Sequence, residues 1–214
     1  LGHAAFFGLG AYGSAILSTE AGMPPWAALP VTAVGVALAA LVVGVPTLRL
    51  SGHYLAMATL GFNIVVHHAL VQWDRVTGGP SGLTGIPSFG MPGVTFQGET
   101  SQYYLLWGAV MVALTLAVNF VRSGLGRGLA ALAQDEVAAA AMGVDVQRGK
   151  IAVFTISAVF ASVGGSLFAH YMGTITPDTF GIFGSIDFVI MVVVGGLGSL
   201  WGSLSGAAFV TILP

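Results

Sequence analysis

Cysteine is absent from all 214 residues, which removes disulfides, thiol nucleophiles and Cys-ligated metals from the chemistries open to this chain. Charge is nearly as scarce. Asp, Glu, Lys and Arg make up 7% of the sequence, against roughly 25% in soluble domains. The formal net charge of -2 gives a polyanion such as nucleic acid nothing to hold. The five histidines, at positions 3, 53, 67, 68 and 170, have no carboxylate at a metal-ligand spacing, so no metal site is expected. No G-x-x-x-x-G-K-[ST] loop occurs either: the run Gly195-Gly196-Leu197-Gly198-Ser199 lacks the Lys that reaches a phosphate. Any ATP and magnesium used by the system must sit on another chain. This one is expected to carry no cofactor and no catalytic constellation.

What the chain does have is apolar length. With 56% hydrophobic residues and a mean hydropathy of +0.92, it reads as an all-α integral membrane protein, a polytopic bundle of transmembrane helices. Its 32 glycines are about twice the ordinary usage of roughly 7%, and in lipid small residues let helices approach closely. Windows of roughly 20 apolar residues fall at 2–18, 26–45, 54–72, 103–121 and 151–172, with Pro46 closing the second. Residues 182–194 and 201–213 are apolar but short, reading as half-spans or a re-entrant pair, and 173–180 is a turn around Pro177. The stretch 73–102, with TGGPSGLTGIP and MPG, is too polar and too rich in Gly and Pro to cross lipid and is expected to be an external loop. Residues 1–214 read as a single transmembrane domain; the absence of an initial Met and the apolar run before Pro214 point to a piece of a longer chain.

The one polar island, 122–150, holds Arg122, Arg127, Arg148 and Lys150 and belongs in the cytoplasm by the positive-inside rule. Alternation then puts Arg49 inside and Glu20, Glu99 and Asp178 outside, with Arg75, beside Asp74, as the exception. Within the island, Asp135 is positioned to cap a short helix over Glu136, Val137, Ala138, Ala139, Ala140, Ala141 and Met142, which Gly143 ends in a left-handed turn. About two turns do not persist alone in water. The helix is either an Ala-rich connector or an element that docks on a partner.

Three further features carry paired readings. Asp187, an acid within an apolar run, is a carboxylate facing a pathway or a helix-start acid satisfied by first-turn N–H groups. Gly198-x-x-x-Gly202-x-x-x-Gly206 sets three glycines on one helical face, for close packing or, with Gly195 and Gly196, as a hinge beside a path. Thr77-Gly78-Gly79-Pro80-Ser81-Gly82-Leu83 is a tight loop or a cradle of backbone N–H groups for a carboxylate.

Val137-Ala138-Ala139-x-x-x-Gly143 resembles the cytoplasmic E-A-A-x-x-x-G loop that ABC importer permeases insert into their ATPase subunits, with Val137 where the broader motif has Glu. Five blocks carry the likeness further: GHAAFFGLGAYGSAIL, LRLSGHYLAMATLGFNIVV, WDRVTGGPSGLTGIP, GRGLAALAQDEVAAAAMGVDVQRGKIAVFTISAVFASVGGSLFAHY and ITPDTFGIFGSIDFVIMVVVGGLGSLWGSLSGA. Together they resemble the permease subunits of ABC importers for branched-chain amino acids, the M-type partner of a two-subunit permease. In that family the loop is similar to I-A-A-x-A-x-G, which Val137 suits, and Asp187 stands where Glu is common. The resemblance implies half of a translocation pathway for Leu, Ile and Val. It also implies a second permease subunit, two ATPase subunits on the cytoplasmic side and an extracytoplasmic binding protein, in the plasma membrane of a bacterium or archaeon. Related permeases carry urea or other amino acids. A rival reading from another class, an ion-coupled secondary transporter, takes Asp187 and the intramembrane histidines as a proton relay.

Overall fold

The structure is a computed structural model that describes residues 2–50, 52–91, 94–95, 99–143, 145–196 and 198–212, apart from the side chains of residues 91, 94, 95, 99, 137 and 138. Among these residues ten α-helices follow one another: α1 (His3–Thr19), α2 (Pro25–Thr47), α3 (His53–Gln72), α4 (Asp74–Thr77), α5 (Glu99–Arg122), α6 (Gly124–Gln134), α7 (Glu136–Ala141), α8 (Val146–Met172), α9 (Ile182–Gly195) and α10 (Leu200–Ile212). Strand is confined to four two-residue pieces, β1 (Leu83–Thr84), β2 (Gly90–Met91), β3 (Val94–Thr95) and β4 (Thr174–Ile175). Four helices, α2, α3, α5 and α8, are each long and apolar enough to cross a membrane alone. Backbone groups in hydrocarbon have no water to bond, so an apolar chain of this length satisfies them internally as helix.

At the centre lies α1, whose residues Ala4, Ala5, Phe6, Ala11, Tyr12 and Ala15 are fully covered. It runs parallel to α8, with His3 beside Ser157 at one end and Ser14 beside Ser166 and His170 at the other. The approach is backbone on backbone. A β-carbon at Gly10 would overlap the carbonyl of Ser162, and one at Gly165 would overlap that of Phe7, so glycine is required at both. Helix α2 returns antiparallel, laying the buried stripe Ala28, Thr32, Val36, Ala40 and Gly44 along the pair. Around this seam Phe6 meets Phe62 and Phe154 at ring centroid distances of 5.2 and 5.4 Å, and Phe7 meets Phe168, Phe180 and Phe188 at 5.5 to 5.7 Å. Helix α5 is different: no residue of 100–122 is buried.

Three boundaries differ from the sequence expectation. Helix α2 continues through Pro46 to Thr47, because a proline removes its own N–H but leaves later ones free, and Leu48 N–H still reaches the Gly44 carbonyl at 2.9 Å. Helix α8 starts at Val146, five residues before position 151, because the Asp145 carboxylate accepts the Arg148 N–H at 3.0 Å and caps it. The polar island contains a second helix, α6, that its three glycines disguise; Ser123 caps it by accepting the Gly126 N–H at 3.1 Å. The two short apolar runs form α9 and α10, and the chain turns by 119° between them. At about 1.5 Å per residue, 14 and 13 residues fall short of a hydrocarbon core about 30 Å thick.

The glycine seam yields a direct test. Gly165→Ala should destabilise the protein by about 1–3 kcal/mol, the usual range for an overpacked interior, whereas Gly35→Ala on the open face of α2, where nothing lies within 4 Å, should not. Thermal unfolding of the detergent-solubilised variants measures the difference, and equal stability would contradict the contact.

Candidate translocation and coupling surfaces

The cationic end of the bundle is built by α6, α7 and the base of α8. Asp135 is extended between α6 and α7. Its N–H closes α6 on the Ala131 carbonyl at 3.1 Å, and its carbonyl accepts the Ala139 N–H at 3.0 Å. Gly143 takes the left-handed conformation at φ 84° and returns its N–H to the Ala140 carbonyl; α7 ends at Ala141, one residue short of the expected Met142, which lies in the turn. Glu136 forms an ion pair with Lys150 at 2.6 Å, which ties α7 to α8. Ala139 is buried within the chain itself, while Met142, in the turn after α7, is 85% exposed. The side chains of Val137 and Ala138 lie outside the described residues. Helix α7 packs on α6 and α8 with Ala139 covered, and among the described residues Ala140, Ala141 and Met142 are exposed apolar side chains of this corner.

At the opposite end the Gly-rich loop is closed on itself. Thr77 is buried, and its hydroxyl donates to the Leu70 carbonyl at 2.6 Å and to that of Trp73 at 2.9 Å. Gly78, Gly79 and Gly82 have φ of 72°, 57° and 72°, a region costly to any residue with a β-carbon. The N–H groups of all three already have partners, on the Asp74 carbonyl, the Thr77 hydroxyl and the Gly79 carbonyl. These four residues hold a tight turn, and the carboxylate-cradle reading lacks its donors. The turn leads into β1, which pairs antiparallel with β4, Leu83 opposite Ile175.

Sequence reasoning missed the polar chain that holds this end. Ser166 donates to Ser14 at 2.7 Å, Ser14 faces His170 Nε2 at 2.8 Å, and His170 Nδ1 lies 2.6 Å from the Pro87 carbonyl. A carbonyl only accepts, so Nδ1 carries the proton and Nε2 accepts from Ser14, which satisfies every member. Asn63, fully buried in α3, donates to Ser185 at 2.9 Å and to the Gly181 carbonyl at 3.3 Å and so fixes α3 against the start of α9. His67 approaches Asp178 at 3.6 Å beside it. The signal was present: each of these residues interrupts an otherwise apolar helix.

The glycine face of α10 needs correcting. Gly198 lies before the helix, with φ 88°, and Gly196 has φ 99°, so both belong to the break. The close contact is between Gly195 of α9 and Gly202 of α10, where a β-carbon on either would overlap the other's carbonyl, with Gly206 against Met191. Asp187 is the sixth residue of α9, beyond the first turn, so the helix-start reading fails. Its side chain has no hydrogen-bond or ion-pair partner among the described residues, and it lies on an exposed face with Phe183, Ile186 and Ile190. Between α1, α8 and α9 opens a cavity of about 550 Å³ walled by Phe7, Phe160, Phe188, Val189, Val192 and Val193, with His3 and Ser157, hydrogen-bonded at 3.1 Å, at one end.

A model of the family described as branched-chain amino acid transport system / permease component matches residues 1–213. The chain belongs to that family. It is accordingly a permease component rather than an enzyme, and a multi-pass helical membrane protein. It is 33% identical to the high-affinity branched-chain amino acid transport system permease protein LivM of Salmonella typhimurium and to that of Escherichia coli, in each case over 99% of this chain and 55% of the relative. It thus spans about half the length of those relatives. Shorter likenesses run to LivH of Escherichia coli, 29% identical over 53% of this chain and 37% of LivH, and to the fructose import permease protein FrcC of Rhizobium meliloti, 33% identical over 48% of this chain and 31% of FrcC. No solved structure matches.

The polar chain predicts how the loop around Pro87 responds to mutation. His170→Leu removes the donor that holds Pro87, so a cysteine placed at Ser88 should be alkylated several-fold faster than in the same variant with His170 intact. A cysteine at Gln134, at the other end, should react at an unchanged rate and only from the cytoplasmic face. Unaltered labelling at Ser88 would show that the bond does not anchor the loop.

Proposed function

We propose that this chain is one of two permease subunits of an ATP-driven ABC importer for branched-chain amino acids in the plasma membrane of a prokaryote. It forms half of the pathway and docks an ATPase subunit through α7 and Met142. ATP and magnesium sit on the ATPase, and an extracytoplasmic protein delivers the substrate. The observation that carries the reading is the α6–α7 corner: a short helix at the cationic end, exposed on one side and tied by Glu136 and Lys150 to the helix that packs on the bundle's centre. Methionine is favoured at contact surfaces, where its flexible thioether adapts to a partner. Closure of the ATPases on ATP pushes the corner as a rigid body, and α8 carries the displacement to α1 across the glycine seam.

The cavity between α1, α8 and α9 supports the proposed substrate class. Phenylalanine and valine walls suit an aliphatic side chain, whereas a sugar of the kind named for FrcC needs hydrogen-bonding groups along its length. Asp187, exposed on α9 and unpaired within the chain, faces the second permease subunit or the water of the pathway between them, since a carboxylate facing lipid is costly.

Met142→Asp tests the docking. A carboxylate in place of an exposed apolar contact should leave insertion and membrane abundance as they are, since Met142 touches little of its own chain. Retention of the ATPase on purification should fall about tenfold or more, the equivalent of roughly 1.4 kcal/mol, and leucine uptake should fall with it. Full retention and full uptake in the variant would remove α7 and Met142 from the docking surface.

A further inference from the structure

A second cavity, of about 430 Å³, lies at the cationic end of the bundle, and its wall shares His3 and Ser157 with the larger apolar one. Its volume falls in the roughly 300 to 1,000 Å³ range of small-molecule sites. Leu48 and Leu50 from the turn after α2, Leu55 of α3, Leu129 and Leu132 of α6 and Val153 of α8 give it aliphatic walls. One carboxylate and one ammonium complete it, those of Glu136 and Lys150. The neighbouring Asp145 and Arg148 pair with each other at 3.1 Å and take no part in the lining.

An aliphatic pocket edged by one acid and one base is the chemical complement of a zwitterion with a branched alkyl side chain. We propose that this cavity binds a free branched-chain amino acid from the cytoplasm, the importer's own product, with its ammonium on Glu136, its carboxylate on Lys150 and its side chain against the leucines. This rests on the substrate class proposed above. Binding exchanges one ion pair for two. The carboxyl side chain of Glu136 is 55% exposed and that of Lys150 22%, so the existing pair is partly in water and parts at little cost. The site lies across the His3 and Ser157 bond from the apolar cavity, at the cationic end of the bundle.

A consequence follows for regulation. The pair that receives the zwitterion is also the tie between α7 and α8. An occupant that parts Glu136 from Lys150 slackens that tie, so accumulated product weakens the transmission from ATPase to bundle and slows further import.

The test uses the assembled transporter in inside-out vesicles, without the external binding protein, and tritiated L-leucine as the probe. Saturable leucine binding is expected, displaced by unlabelled leucine, whereas isovalerate, which lacks the ammonium, and isoamylamine, which lacks the carboxylate, should each compete at least tenfold less well. Lys150→Met and, independently, Val153→Trp, which fills the apolar wall, should each lower leucine affinity at least tenfold in complexes that still assemble. Isovalerate or isoamylamine competing as well as leucine in the unaltered complex would overturn the proposal without recourse to any variant. So would unchanged leucine binding by an assembled Lys150→Met complex. If the complete transporter imports no aliphatic amino acid, the substrate class fails. If it imports leucine normally but binds none from the cytoplasmic face, this site alone fails.

Discussion

The close backbone contact between α1 and α8 governs the rest of the bundle. In lipid, apolar side chains gain nothing by leaving one apolar surrounding for another, so helices hold together by dispersion and by polar contacts made at short range. Gly10 and Gly165 remove the β-carbons that would keep the two axes apart, and Ser14, Ser162 and Ser166 are small enough to line the same seam. Once these helices touch, α2 has a fixed groove for its stripe of small residues. The phenylalanines have no room inside the seam and pack around its margins instead.

Polar side chains then supply what dispersion does not, which is register. An unpaired amide or hydroxyl in hydrocarbon costs several kcal/mol, so the donors of Asn63, Ser14 and His170, once paired, tolerate little sliding. Asn63 sets α3 against Ser185 and Gly181 at the head of α9. His170 sets the loop that holds Pro87 against the end of α8. Neither pairing joins elements adjacent in sequence: Asn63 acts midway along α3, and His170 near the end of α8 opposite the cationic corner.

How much of this was legible depended on whether a signal was local. Apolar length located α1 and the four helices long enough to cross a membrane alone, α2, α3, α5 and α8, and Gly143 marked the turn that ends α7 because a left-handed terminator is a property of one residue. Helix α6 was hidden because Gly124, Gly126 and Gly128 lower propensity in the very segment where Ser123 caps it and Leu125, Leu129 and Leu132 recur at helical spacing. The face of Gly198, Gly202 and Gly206 was misread because a spacing of four is the same in a helix and across a break, and only the backbone shows that Gly198 precedes α10. The partners of Ser14, Asn63 and His170 lie 83 to 156 residues away, a distance over which a single sequence holds no pairing information. Ala139 belongs to a short helix that the sequence offers as a connector or a docking element, yet it is buried within the chain itself, which no local signal shows.

The same distances explain how one helix can serve both ends of the protein. At about 1.5 Å per residue, the 27 residues of α8 extend about 40 Å, and about 30 Å of that separates Lys150 near the cationic corner from His170, which holds the loop at Pro87. A rigid rod cannot be displaced at one end without consequence at the other. The glycine seam prevents α8 from sliding independently of α1, because backbone atoms in contact have no flexible side chain between them to absorb the shift. Movement must therefore be taken up where the chain is weakest in such contacts. Helix α5, without a buried residue in 100–122, and the α9–α10 pair, whose glycine contacts of Gly195 with Gly202 and of Gly206 with Met191 join the two helices to each other and not to α8, meet that condition. A push delivered at α7 would consequently move α1, α2 and α8 as one body. The relative motion would fall along α9, which is the wall of the apolar cavity and the helix that carries Asp187.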